Sequence, residues 1–289
     1  MNNLVSIIIP CFNQGHFIME ALDSIDENAI SYPVEIIIVN DGSTDPATNE
    51  LLETLSLNSK YIVIKQHNMG LANARNTGIA VAKGNYILPL DADNKITPAY
   101  INKGLPFLIS GTSDIVYGKP YFFGDVSKGR KFKSKPFNIY HLLEQNFIDA
   151  CAIYRKEVWI KNNGYDNNKF IKVFEDWEFW INAWSNDFKF HFIDEQLFYY
   201  RMTGSSMMSV FPEQKLKEVH TYLLEKHSAI FLYHFVKLSY IKRKYDIDIK
   251  RFVISPFIFL FYIFNIIKKP VKKANEKLAR YKPVSLKRN

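Results

Sequence analysis

Over residues 4–113, short apolar runs rich in β-branched side chains alternate with segments whose apolar positions recur every three or four residues. The first pattern reads as buried strand and the second as amphipathic helix. Residues 5–10 make such a run, after which Phe17, Ile18, Ala21, Leu22 and Ile25 share one helical face. Residues 34–39 give a second strand, followed by the polar turn Asn40-Asp41-Gly42-Ser43-Thr44-Asp45 and a helix carrying Leu51, Leu52 and Leu55. A third strand at 61–65 and a third helix at 71–82 lead to a fourth strand at 85–90, which runs into Asp91-Ala92-Asp93. Thr97-Pro98 then carries the cap-and-proline signature of another helix start. Strands buried on both faces and separated by helices predict an α/β domain with a mostly parallel central sheet flanked by helices. In such sheets ligands sit beyond the carboxyl ends of the strands. The polar clusters at Asn13, 41–45, Asn68 and 91–93 all fall at strand ends, so they are expected to converge on one crevice.

From about Asp114 the rhythm changes to shorter aromatic strands at 115–117 and 121–123, a segment through Asp149-Ala150-Cys151, and a helix at 175–184. Trp177, Trp180 and Trp184 share a face of that helix and are expected to be core, as is His191, set between two phenylalanines on an alternating strand. Past Pro212 the pattern is helical and ends in an apolar run, 252–267, and a basic tail, 268–289. The expected organisation is one domain, 1–211, with halves 1–113 and 114–211, and a helical C-terminal extension, 212–289.

Charge sharpens this division. The chain has 289 residues and a net charge of +8; the tail holds nine Lys or Arg and one acid, Glu276, so the remaining 267 residues balance at 28 basic and 28 acidic. The excess charge is therefore a surface-binding feature of the tail and not of the fold. Cys11 and Cys151 are far apart and lack metal-ligand spacing, which fits a reducing compartment. The N-terminus has no basic region or cleavage site of a signal peptide, so Met1 is expected to begin the mature chain.

Two carboxylates one residue apart at a strand end suit a hard divalent cation, which takes one or two protein carboxylates and leaves its other positions to phosphate and water. Taken alone, Asp-x-Asp is also an ordinary solvated turn. Its place among three other polar strand ends favours Asp91 and Asp93 as ligands of Mn2+ or Mg2+. No Gly-x-Gly-x-x-Gly or Gly-Lys-Ser/Thr follows the first strand, which argues against a dinucleotide-binding or P-loop protein.

With these residues in view, the chain resembles a family 2 glycosyltransferase of the Rossmann-like GT-A fold. The resemblance is carried, in order, by Val5-Ser6-Ile7-Ile8-Ile9-Pro10-Cys11-Phe12-Asn13, Val39-Asn40-Asp41-Gly42-Ser43-Thr44-Asp45, Asn68-Met69-Gly70-Leu71-Ala72-Asn73-Ala74-Arg75-Asn76, the strand ending in Asp91-Ala92-Asp93, and Glu175-Asp176-Trp177. It covers roughly residues 4 to 205. It implies that 1–113 is the nucleotide half and 114–211 the acceptor half. It also implies that Pro10, Phe12, Asp41, Arg75 and the Asp91-Ala92-Asp93 turn bind the donor, with Asp41 accepting a hydrogen bond from the base and Arg75 holding the base or diphosphate. Asp176 matches the general base, with Glu175, Trp177 and Arg201 as supporting or acceptor-side groups. Asn13, Gly70 and Asn76 are expected to shape loops.

The sequence departs from relatives at two places: Asn163 stands where a Gly-Gly-Tyr/Phe-Asp loop has its first glycine, and Thr203 stands where many carry a His after Tyr-Arg. No Gln-x-x-Arg-Trp follows Asp176, a motif that the resemblance links to processive synthases. The implied activity is therefore inverting transfer of a single sugar from a nucleotide-sugar, a UDP-sugar for preference, to a hydroxyl of a glycan or lipid-linked acceptor, in cell-surface polysaccharide or glycoconjugate synthesis. The alternatives are a sugar-nucleotide-binding or scaffolding protein of the same fold without turnover, and another nucleotide-dependent α/β enzyme such as a nucleotidyltransferase.

As a helix, 252–267 would span roughly 24 Å against the roughly 30 Å hydrocarbon core, too short to cross comfortably. Followed at once by Lys268, Lys269, Lys272 and Lys273, it reads as an interfacial segment whose lysines meet anionic headgroups, each worth about 1 kcal/mol near the surface. The competing reading is a buried terminal helix with a solvated tail. Nucleic acid is a poorer partner, since no nucleic-acid fold accompanies the basic residues. The expected location is cytoplasmic, peripheral on the inner face of the cell membrane. The full chain should float with vesicles containing anionic lipid, and a chain ending at residue 249 should remain at the bottom of the gradient; equal partition of the two would remove the membrane contact.

Overall fold

The computed structural model describes residues 3–127, 131–203 and 212–245. The apolar run 252–267 and the basic tail lie outside the described residues. Two compact units are present, Met1–Leu223 and Leu224–Asn289. The first is built on an eight-stranded sheet. Its first four strands are β1 (Val5–Cys11), β2 (Val34–Asp41), β3 (Tyr61–Gln66) and β4 (Tyr86–Pro89), joined by helices α1 (Gly15–Asp23), α2 (Pro46–Ser56) and α3 (Leu71–Val81). The chain then adds β5 (Lys95–Ile96), α4 (Pro98–Ile109), β6 (Ile115–Gly124), α5 (Ile139–Glu144), β7 (Ile153–Arg155), α6 (Lys156–Asn162), α7 (Glu175–Ser185), β8 (Phe190–Met202) and α8 (Glu213–Lys226). A further helix, α9 (Ser228–Tyr245), lies in the second unit, which begins within α8 at Leu224.

The strand order is β3-β2-β1-β4-β7-β6-β8-β5, with β1 parallel to both β2 and β4. Every residue of β1 is buried, because strands pair with it on both edges and helices cover its faces. The chain winds outward from β1 to β2 and β3, then returns to place β4 on the other side of β1. Between β1 and β4 lies the topological switch point, where the loops following the two strands part and open a crevice. The mostly parallel α/β architecture expected from the hydrophobic pattern is therefore present.

Two local readings differ from the observed structure. The aromatic segments expected as two strands are one, β6, because Gly118 permits a bulge where a break was anticipated: pairing with β8 shifts register between Tyr117 and Pro120, and a Cβ at Gly118 would lie 2.6 Å from Leu197 Cδ1. Thr97 does precede α4, but its hydroxyl donates to Leu197 O at 2.9 Å and makes no cap bond. Asp45 caps α2, accepting from Thr48 N at 2.9 Å ahead of Pro46.

Helix α3 lies close on the sheet because Gly78 faces it: a Cβ there would come within 2.6 Å of Ile8 Cγ2 and 3.1 Å of Val39 Cγ2. Asn76 locks the same helix to α6 and the loop that follows it, donating to Tyr165 O at 2.8 Å and accepting from Tyr165 N at 2.7 Å and Trp159 Nε1 at 2.8 Å. Overpacking at such a seam typically costs about 1–3 kcal/mol. Gly78→Val should lower the urea midpoint by a corresponding amount with the slope unchanged; an unaltered midpoint would contradict this packing.

Candidate active site

The crevice at the switch point is a cleft of about 860 Å³, lined by Pro10, Arg75, Asp91, Asp93, Glu175, Asp176, Trp177 and Arg201 among others. Asp91 follows β4 directly, where Leu90 N donates to Ile8 O at 2.9 Å. Ala92 is fully buried in the core, so the turn anchors inward through its central residue while the two flanking carboxylates line the cleft. Burial, reinforced by the charge of Asp91, pushes the Asp93 carboxyl up to about 6. Among the described residues no side chain donates a hydrogen bond to it.

Arg75 is 1% exposed. One guanidinium nitrogen lies 2.7 Å from Asp91 Oδ1 and the other 2.5 Å from Glu175 Oε1, and the group sits 5.6 Å from the Tyr165 ring centre. Burial opposes its charge, but Asp91 and Glu175 outweigh this and hold its pKa well above the usual arginine value. Arg75 thus joins the end of β4 to the first turn of α7.

Asp176 stands in that first turn. Its Oδ1 accepts from Trp177 N at 2.7 Å and its Oδ2 from Asn146 Nδ2 at 2.9 Å. Burial first, then the neighbouring charges of Glu175 and Asp149, push its carboxyl well above the ordinary range. Asp149 is raised to about 7, again chiefly by burial and next by Asp91. Trp177 lines the cleft with its indole N–H bonded to Leu142 O at 2.6 Å, and Trp180 is core, as expected. His191 stacks on Phe107 with ring centres 3.8 Å apart.

Arg201 lies behind the Asp91-Ala92-Asp93 turn. Its Nε donates to Asp93 O at 2.9 Å, its backbone N to Asn94 Oδ1 at 2.9 Å, and a terminal nitrogen is 2.8 Å from Glu20. The rings of Phe17 and Phe123 flank the guanidinium at 4.3 and 4.4 Å.

Other residues singled out in the sequence are placed differently. Asp41 is 4% exposed and is not on the cleft wall; its oxygens accept from Gln66 Nε2 at 2.7 Å, Met69 N at 2.9 Å and Gly70 N at 2.9 Å, fixing the loop that opens α3. Phe12 is exposed beyond β1 and likewise off the wall. Asn13, at a φ of +55°, accepts from Thr44 N and Asp45 N at 2.8 and 2.9 Å, tying together the loops after β1 and β2. Thr203 is on the wall.

The motif reading missed Asn146 and Asp149, and also Leu216 and His220 of α8, which complete the cleft. Asp149 interrupts the otherwise apolar 147–154 run, a signal that could have drawn attention to it. His220 meets Trp177 edge-on at 5.6 Å, a contact between positions far apart in sequence that no local pattern announces.

Comparison with known proteins agrees with this geometry. An uncharacterized glycosyltransferase of Methanocaldococcus jannaschii is 27% identical over 229 residues, 75% of this chain and 78% of the relative. Among solved structures, residues 1–349 of S. aureus TarS in complex with UDP-GlcNAc superpose with a TM-score of 0.59 at 19% identity, covering 75% of this chain and 64% of that one. The Pyrobaculum calidifontis mannosyltransferase PcManGT, in complex with GDP-Man and Mn2+, gives 0.50 at 19% identity, covering 68% and 56%. At these identities the two structures establish the GT-A fold alone, and this chain spans less than two thirds of each. The family model described as "Glycosyl transferase family 2" matches residues 6–171, more than half of the sequence, and the chain belongs to that family.

Proposed function

We propose that this chain transfers a single sugar from a UDP-sugar to a hydroxyl of a glycan or lipid-linked acceptor, with inversion at the anomeric carbon and with Asp176 as the general base. The observation that carries the reading is the meeting of the Asp91-Ala92-Asp93 turn and Asp176 in one cleft, with Asp176 held well above the ordinary carboxylate range. A carboxylate whose pKa is raised is, once ionised, a stronger proton acceptor than an ordinary one. In the proposed step the acceptor oxygen forms a bond to the anomeric carbon as the bond to the diphosphate breaks, and the hydroxyl proton passes to Asp176.

The donor set fits a hard divalent cation. Six carboxylates, Asp91, Asp93, Glu144, Asp149, Glu175 and Asp176, face the cleft against two guanidiniums, Arg75 and Arg201, and Arg75 is already committed to two of them. A diphosphate placed in that field would be repelled without a counter-cation. Among the described residues no group of three or more His, Cys, Asp or Glu could hold a metal by itself, which suits Mn2+ or Mg2+ sharing its coordination with phosphate and water. Asp93, with the free oxygen of Asp91, would hold the ion. When bound, it would neutralise the charge that develops on the leaving diphosphate. Arg201 would act by bracing this turn through the Asp93 carbonyl. Uracil as the base is supported by the complex of TarS with UDP-GlcNAc. Membrane contact through 252–289 belongs to the same reading; among the described residues no helix is long and apolar enough to cross a membrane.

Removing a general base typically costs about 10²–10⁴-fold in rate. Asp176→Asn should therefore lose at least 10²-fold in UDP release from a screened set of UDP-sugars, with UDP affinity unchanged; a wild-type chain that binds UDP and turns over no nucleotide-sugar would favour the binding-protein alternative. The rate should fall as pH drops through the raised pKa of Asp176, because only the ionised form accepts a proton. The acid limb should lie well above the ordinary aspartate value of about 4, and a limb at that value would refute the raised base. Chelation with EDTA should abolish turnover and added Mn2+ restore it; full activity in EDTA would remove the metal.

A further inference from the structure

Asp176 is held from outside α7 by a segment that carries none of the sequence motifs. Helix α5 ends at Glu144, Gln145 N donates to His141 O at 2.9 Å, and the chain then crosses the cleft wall through Asn146. The Asn146 side chain is anchored at both ends: its oxygen accepts from Ile148 N at 3.2 Å and its nitrogen donates to Asp176 Oδ2 at 2.9 Å. The Ile148 amide is a donor only, so it fixes which end of the side-chain amide turns toward Asp176. The strap itself cannot drift, because Trp177 Nε1 donates to Leu142 O at 2.6 Å and Trp180 Nε1 to Ile148 O at 3.0 Å.

We propose that Asn146 is a positioning residue for the reaction, fixing the rotamer of Asp176 and favouring its ionised, proton-accepting form. This rests on the assignment of Asp176 as base. Two donors then hold the carboxylate in one plane, Trp177 N on Oδ1 and Asn146 on Oδ2. A donor to the ionised form stabilises it and opposes the effects of burial and like charge. The other titratable or charged groups acting on this site are Glu175 on the same helix, Asp149 on the strap, Arg75 from α3, Tyr165 after α6 and Tyr200 from β8. Arg75 is the one cation among them and its bonds go to Asp91 and Glu175. Asn146 is therefore the side chain that donates directly to Asp176.

The test uses the full chain labelled with ¹³C at aspartate carboxyls, with the Asp176 resonance identified by its loss in Asp176→Asn. Asn146→Ala should move the Asp176 titration upward by about one pH unit, the effect of losing one donor to an ionised group. The isosteric Asn146→Asp should move it further, by setting a carboxylate against a carboxylate, and covers the case in which the alanine variant does not fold. With UDP affinity unchanged, Asn146→Ala should also lower UDP release about 10-fold and shift its acid limb by the same interval. An unmoved Asp176 titration in a folded Asn146 variant overturns the positioning role. If Asp176→Asn keeps full turnover, the base assignment fails instead, and the two failures are distinguishable.

Discussion

The described sheet has one internal electrostatic clamp on which the site depends: the Arg75 guanidinium, with Asp91 at 2.7 Å and Glu175 at 2.5 Å. Removing a charge of this kind from water costs several kcal/mol, and the partners repay it only when geometry is good. Removing the guanidinium would leave Glu175 as an uncompensated buried charge, with a typical penalty of about 3–5 kcal/mol. The clamp therefore constrains more than stability. Asp91 follows β4 in residues 1–113 and Glu175 opens α7 in residues 114–211, so the guanidinium sets the distance between the proposed metal-binding turn and the proposed base. Arg75 itself has little surface left to offer a ligand.

The polar residues around it divide into those that face the cleft and those that build its rim. Asp41, Asn13 and Asn76 hold loop backbone: Asp41 fixes the loop before α3, Asn13, itself on the cleft wall, joins the loops after β1 and β2, and Asn76 fastens α3 to Tyr165. A buried polar group is costly unless satisfied, and Asp41, 4% exposed, is satisfied by the loop it holds. Arg201 extends the same logic to the Asp91-Ala92-Asp93 turn, gripping its backbone while two aromatic rings confine the guanidinium. Residues of one family pattern thus serve two purposes, and a few carry the cleft's chemistry on a frame made by the others.

That division explains which features could be read from the sequence. β1 to β4 were legible because burial on both faces gives continuous apolar runs, and their polar ends were legible because parallel strands deliver them to one edge. Whether a polar side chain at such an end points into the cleft or into a neighbouring loop depends on contacts between distant positions, as Asp41 with Met69 and Gly70 illustrates. Residues 114–211 were harder for the same reason. β6 pairs in parallel with β8, whose position is set by α7 and the long excursion between them, and Gly118 and Leu197 meet only because of that pairing. Asn146 and Asp149 come from a strap held by tryptophan indoles on another helix, a relation no local periodicity encodes.

The same tertiary control sets the environment of Asp176. Val173, immediately upstream, adopts a φ of +77°, a conformation that a β-branched residue tolerates only when its surroundings impose it, at a cost on the order of 1–3 kcal/mol. α7 then begins without a side-chain cap, with Glu175, Asp176 and Glu178 in its first turn. Their mutual repulsion is partly offset by the positive end of the helix dipole and by Arg75 on Glu175. Among the described residues no arginine bonds to Asp176. Its carboxylate is balanced between burial and like charges, which favour the protonated form, and two hydrogen-bond donors, which favour the ionised one. The strained turn, the uncapped helix and the asparagine strap are the structural conditions that set this balance.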